Sequence, residues 1–194
     1  MKKQLSSEAV PARTTPPISL TTLVQAAMIA AIYVVLTLLA NAFGLANYAI
    51  QVRFSEALTI LPFFTPAAIP GLFVGCILSN ILTGCLPLDV VFGSLATLIG
   101  ALGTYAIGRM SRKAVDAASQ PQRRFSVYKL FSPLPPIISN TLIVPFVLSY
   151  VYQFEGSIPY FMLTVGAGEV ISCGILGLIL LFSLDRYKNI LFRS

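Results

Sequence analysis

Glu169, in the stretch VGAGEVISCG, places a carboxyl group midway along an apolar run, several residues from either end. An ionisable side chain at that depth faces a cavity, a partner group or a bound solute rather than lipid. Gly166 and Gly168 leave room beside it for another helix or a ligand to approach. Arg53 and Glu56 lie three apart in QVRFSEAL, close enough to share a helical face. They form either a structural ion pair near a membrane boundary or part of a ligand site. Asp89 opens an apolar run just after Pro87, where a carboxylate caps a helix N-terminus. Capping accounts for it, and it is kept as a candidate ligand contact. Asn80 and Asn140 are amides in or near apolar runs, able either to read a polar heterocycle or to tie helices together. Aromatic side chains near the same loops, Tyr48, Tyr150 and Tyr152 among them, offer faces on which a flat ring stacks.

Other chemistries are missing from the sequence. It has no histidine, so imidazole metal sites and imidazole acid–base catalysis are excluded. Cys76, Cys85 and Cys173 form no CxxC pair and lack metal-ligand spacing, and they read as small buried hydrophobes. No GxxxxGK[ST] loop is present to cradle the phosphates of ATP. No nucleophile-and-base pair accompanies the carboxyl groups, so no catalytic residue, metal or cofactor is expected and the chain reads as a non-enzyme.

The elements that must hold these residues are membrane helices. Of 194 residues, 56% are hydrophobic and 10% charged, against about a quarter charged in soluble domains. Clear spans run near 18–43, 89–108, 130–154 and 158–184. The stretch from Ala57 to Leu88 is too long for one span and contains Pro62, Pro66 and Pro70. All basic residues except Arg53 fall in the N-terminal tail, in 109–129 or after Leu184. Short basic loops stay in the cytoplasm, so these three regions share one side. An even number of crossings must then separate the tail from 109–129. The stretch after Ala57 therefore crosses twice, near 54–64 and 67–83, turning at Thr65 and Pro66. The expectation is an all-α integral membrane protein with six transmembrane helices and both termini cytoplasmic. Its parts are a disordered tail over 1–17, one six-helix domain over 18–184 containing the basic cytoplasmic loop 109–129, and a cytoplasmic tail over 185–194. The net charge of +6 is spread between apolar runs rather than along one face, which argues against nucleic-acid binding.

In the first span, Ala26, Ala27, Ala30 and Ala31 make two overlapping small-xxx-small pairs, a strip that lets another helix approach closely. Its partner lies either within this chain or in another protein.

The stretch QVRFSEALTILPFFTPAAIPGLFVGCILSNILTG, then LDVVFGSLATLIGALGTY and GEVISCGILGL, resembles the QueT family from about Leu23 to Leu184. The family consists of substrate-binding S-components of energy-coupling factor (ECF) transporters associated with uptake of queuosine precursors. The resemblance implies an S-component-like bundle in the bacterial cytoplasmic membrane and a cavity opening outward. It further implies reliance on an ECF coupling membrane protein with two ATPase subunits. Ala26, Ala27, Ala30 and Ala31 match the positions at which such subunits dock on the coupling protein. The implied ligand is a deazaguanine such as preQ1, preQ0 or queuine. Its amide N–H and exocyclic amine suit a bidentate carboxylate from Glu169 or Glu56, with Asn80 or Asn140 reading the other ring edge. The competing readings are the same architecture serving another vitamin-like solute, and a stand-alone ion-coupled transporter.

Overall fold

The computed structural model describes residues 19–45, 52–116 and 127–187. The tail over 1–17, residues 46–51, residues 117–126 of the 109–129 loop and residues 188–194 lie outside the described residues.

Four stretches are long and apolar enough to cross a membrane: Leu20–Ala42 (α1), Pro87–Ala114 within α3 (Pro87–Asp116), Val127–Tyr150 and Ile158–Asp185. Val127–Tyr150 contains α4 (Leu134–Tyr150). Ile158–Asp185 is built from α5 (Ile158–Glu169), a π-helical turn over Val170–Leu176, and α6 (Gly177–Asp185). Between α1 and α3 stand two short segments, a 3₁₀ helix over Phe54–Phe63 and α2 over Ala68–Leu82. The chain is a multi-pass helical membrane protein. The two short segments occupy the places expected for the second and third crossings, joined across Thr65 and Pro66.

Pro62 removes a backbone donor within Phe54–Phe63, and a 3₁₀ helix is irregular by membrane standards. Such backbone survives at membrane depth only where protein surrounds it. This segment meets that condition: Ser55, Glu56 and every residue from Leu58 to Phe63 are buried. Ten residues at about 2.0 Å each reach about 20 Å, farther than ten residues of α-helix.

The two ends of the bundle differ. At one end Arg112 donates to the Phe63 carbonyl at 2.7 Å and lies over the Tyr105 ring at 5.9 Å. At the same end Lys129 pairs with Asp185 at 2.6 Å, joining the start of one span to the end of the last. The turn after the 3₁₀ helix, the end of α3 and the end of α6 therefore meet where basic residues gather. The opposite end carries the loops around Arg53, Thr83 to Leu86, and Tyr152 to Phe154.

α1 packs on α2 through small residues. A Cβ added to Gly71 would meet the Ala26 carbonyl at 2.7 Å, and one added to Gly75 would meet the Tyr33 Cβ at 2.9 Å. Ala30 is buried in this contact, whereas Ala27 and Ala31 are exposed. The four-alanine strip is thus divided. Ala26 and Ala30 pack toward α2, and Ala27 and Ala31 lie exposed along an apolar groove that Ala30 also borders, with Val35, Val74 and Leu78.

Candidate functional site

The acidic residues singled out by depth converge. Glu56, on the first turn of the 3₁₀ helix, is 2% exposed, and Glu169, at the end of α5, is 8% exposed. Asn140 of α4 stands between them, donating to Glu169 Oε1 at 3.0 Å and reaching Glu56 Oε2 at 3.5 Å. The Tyr33 hydroxyl donates to Glu56 Oε1, and the Cys173 thiol donates to Glu169 Oε2 at 3.0 Å. Every carboxylate oxygen of the pair therefore holds one protein donor. Each retains a second lone pair for a further donor.

Winding brings these groups together. The π-helical turn begins directly after Glu169 and widens the backbone there, a feature frequent at functional sites. It turns Ser172 and Cys173 toward the 3₁₀ helix: Ser172 Oγ accepts from the Arg53 amide at 3.2 Å, and the Cys173 thiol also reaches the Glu56 carbonyl at 3.4 Å. Gly177 lies beside the Ala57 carbonyl, 3.6 Å from the position of an added Cβ, which is ordinary contact.

Two adjoining chambers lie at the end away from the basic residues. The inner one, about 20 Å³, is bordered by Glu56, Glu169, Asn140, Gly93 and Thr97 and holds about one water's worth of space. The outer one, about 350 Å³ and open on one side, is bordered by Asn41, Asn80, Asp89, Tyr152 and Phe154. That size falls at the lower end of small-molecule sites. Arg53 and Val144 border both chambers. All six substrate-contact candidates therefore line one or the other of two chambers that share Arg53 and Val144.

Arg53 and Glu56 do not form the ion pair that their spacing suggested; no nitrogen of one lies within 4.0 Å of an oxygen of the other. The reason is local. Arg53 has extended backbone angles (φ −108°, ψ 111°) and precedes the helix, so a shared helical face does not exist. Its guanidinium borders the recess with no hydrogen bond to any described residue. Asp89 sits in the first turn of α3, and its Oδ2 accepts from the Tyr152 hydroxyl at 2.8 Å. That hydroxyl in turn accepts from the Leu86 amide at 3.3 Å. Burial, then the bond to Asp89, push the Tyr152 phenol above its usual range, so it stays protonated and donating at neutral pH. Gln153 adopts a left-handed conformation (φ 52°) between Tyr152 and Phe154, whose rings stack at 5.5 Å. Asn80 donates weakly to Cys76 Sγ at 3.6 Å.

The model of the QueT transporter family matches residues 23–186, which take in every residue of both chambers. The chain belongs to the QueT transporter family. A protein named Queuosine precursor transporter QueT, from Lactococcus lactis subsp. cremoris (strain MG1363), is 36% identical over 77 residues. The matched region is 40% of this chain and 45% of that relative, so the similarity spans under half of the relative's length. No solved structure matches. Within this QueT-family chain, sequence reasoning gave no individual role to Tyr33, Cys173 or Tyr152. Only Cys173 carried a usable signal, its position four residues after Glu169 on one helical face.

Proposed function

We propose that this chain is the substrate-binding membrane subunit of an ECF-type importer, capturing a queuosine precursor (preQ1, preQ0 or queuine). The observation that carries this reading is the paired acidic side chains, Glu56 and Glu169, at the floor of a recess flanked by Arg53, Asn80 and aromatic rings. Family membership and the name of the Lactococcus lactis relative support the solute class.

The ring lies in the outer chamber with its amide and amine edge toward the inner carboxyl groups. The second lone pairs of Glu169 or Glu56 accept those two donors. The inner chamber is too small for a ring, so the Val144 side chain, which borders both chambers, shifts as the edge enters. Tyr152 or Phe154 covers the ring face. With the basic end in the cytoplasm, both termini are inside and the recess opens outward. The exposed Ala27 and Ala31 dock the ECF coupling protein, and its two ATPases supply the energy that this chain has no loop to harvest. Calorimetric titration of the purified protein, without partner subunits, tests the capture role. Saturable binding of a deazaguanine is expected, and heat from unrelated vitamins alone would overturn the solute assignment.

A second reading has one specific observation in its favour. Ligand atoms of Glu56, Glu169 and Cys173 lie within 4.8 Å of one another, a spacing that suits a coupling cation. Uptake into vesicles lacking any ATPase, abolished by collapsing the ion gradient, would establish that stand-alone transporter instead.

A further inference from the structure

We propose that Asp89 seats a protonated amine of the bound solute, so that the recess selects a cationic ligand over a neutral one of the same shape. The inference rests on the deazaguanine reading above and adds the charge of the substituent that the ring carries.

Asp89 is 6% exposed, yet only half of its carboxylate is used. Oδ2 takes the Tyr152 hydroxyl at 2.8 Å, while Oδ1 accepts no hydrogen bond from any described residue. The free oxygen and the Asn80 amide nitrogen both lie close against Gly93, where a side chain would crowd them. A Cβ built on Gly93 would stand 3.4 Å from Asp89 Oδ1 and 3.2 Å from Asn80 Nδ2. Gly93 itself borders the inner chamber, and Asp89 borders the outer one. One helical turn separates them, about 6 Å along α3. The recess thus presents acidic groups at two depths, the Glu56 and Glu169 pair at its floor and Asp89 one turn higher.

Arg53, which borders both chambers, carries the one fixed positive charge among their lining residues, and Asp89 is its strongest charge partner without a hydrogen bond between them, so the second oxygen of Asp89 remains open to a cationic donor. Tyr152 orients Asp89 but brings no charge. A buried carboxylate with one unfilled oxygen is costly when a neutral ligand displaces its water, and an ammonium group satisfies it directly. A ring read at the floor by the glutamates directs a substituent on its opposite side up α3, toward Asp89 Oδ1.

The test compares two ligands with one ring: preQ1, which carries an aminomethyl group, and preQ0, which carries an uncharged nitrile. Calorimetry on the full-length purified protein should give preQ1 the tighter binding by about 10- to 100-fold, the span expected of a hydrogen bond to a charged group. Asp89→Asn should bring the preQ1-to-preQ0 affinity ratio close to one. Acetylating the amine of preQ1 gives a neutral probe that needs no variant, and it should bind wild-type protein no better than preQ0. Equal affinities for preQ1 and preQ0, or a preference that survives acetylation or Asp89→Asn, would overturn the ammonium seat and leave the deazaguanine reading standing. Binding of neither ring would remove both.

Discussion

Asn140 and Glu169 are joined across two helices by a 3.0 Å hydrogen bond, and the same amide nitrogen reaches on toward Glu56. One neutral side chain thus separates two acidic ones in the most enclosed part of the bundle. Glutamine at either acidic position keeps the volume but turns half of an acceptor-only group into a donor. On the proposed reading, Glu169→Gln loses one of two charge-assisted bonds to the ring and weakens binding by about 10- to 100-fold. Titration of the variant checks this. Unchanged affinity would assign the ring edge to Glu56.

Asn140→Asp tests the separator itself. It replaces the shared donor with a third acceptor facing two acidic groups, and a buried like-charge cluster is strongly disfavoured. A loss of several kcal/mol is expected, visible as a large drop in melting temperature in detergent. Asn140→Gln, which restores a donor on a longer stem, should recover part of that loss.

Val144 borders both chambers, so a larger side chain there closes the passage between them. Val144→Phe is expected to abolish deazaguanine binding and also to lower the melting temperature, because Val144 packs beside Leu148, Phe161 and Val165. A variant that still binds with wild-type affinity would place the ring wholly in the outer chamber.

The divided alanine strip predicts two different outcomes from similar substitutions. Gly75→Val drives a branched side chain into Tyr33 and Ala30 and should cost about 1–3 kcal/mol or more of stability in the isolated protein. Ala31→Leu adds bulk on the exposed side, so the isolated protein should melt as wild type does. Copurification with the coupling protein and its ATPases should nonetheless fail for Ala31→Leu if that face docks the partner. Retained copurification would move the interface elsewhere.

Much of the architecture was legible because membrane physics is coarse. Apolar length located four spans, and the placement of basic residues required a double crossing between Ala57 and Leu88, where the 3₁₀ helix and α2 stand. Glu56 and Glu169 stood out because carboxyl groups are rare at such depth. The sequence left Arg53 open between an ion pair with Glu56 and a ligand contact, because spacing alone does not show that Arg53 stands in extended backbone just outside the helix and so shares no face with Glu56. Tyr33 carries no local mark of its role, and Cys173 carries only its spacing of four from Glu169. Their contacts with Glu56 and Glu169 arise from α1 packing and from the π-helical turn, neither of which periodicity reveals. Capping explained Asp89 adequately from sequence, and only the folded contacts show that Tyr152 uses one of its oxygens and leaves the other.

The 3₁₀ winding of Phe54–Phe63 works as a depth gauge. Its lower end is pinned where Arg112 holds the Phe63 carbonyl, and Glu56 stands seven residues above that anchor. Wound as 3₁₀, those seven residues rise about 14 Å; wound as an α-helix they would rise about 10 Å. The tighter coil therefore lifts the carboxyl group by roughly the length of a peptide unit, to the level at which Glu169 meets it from the last span.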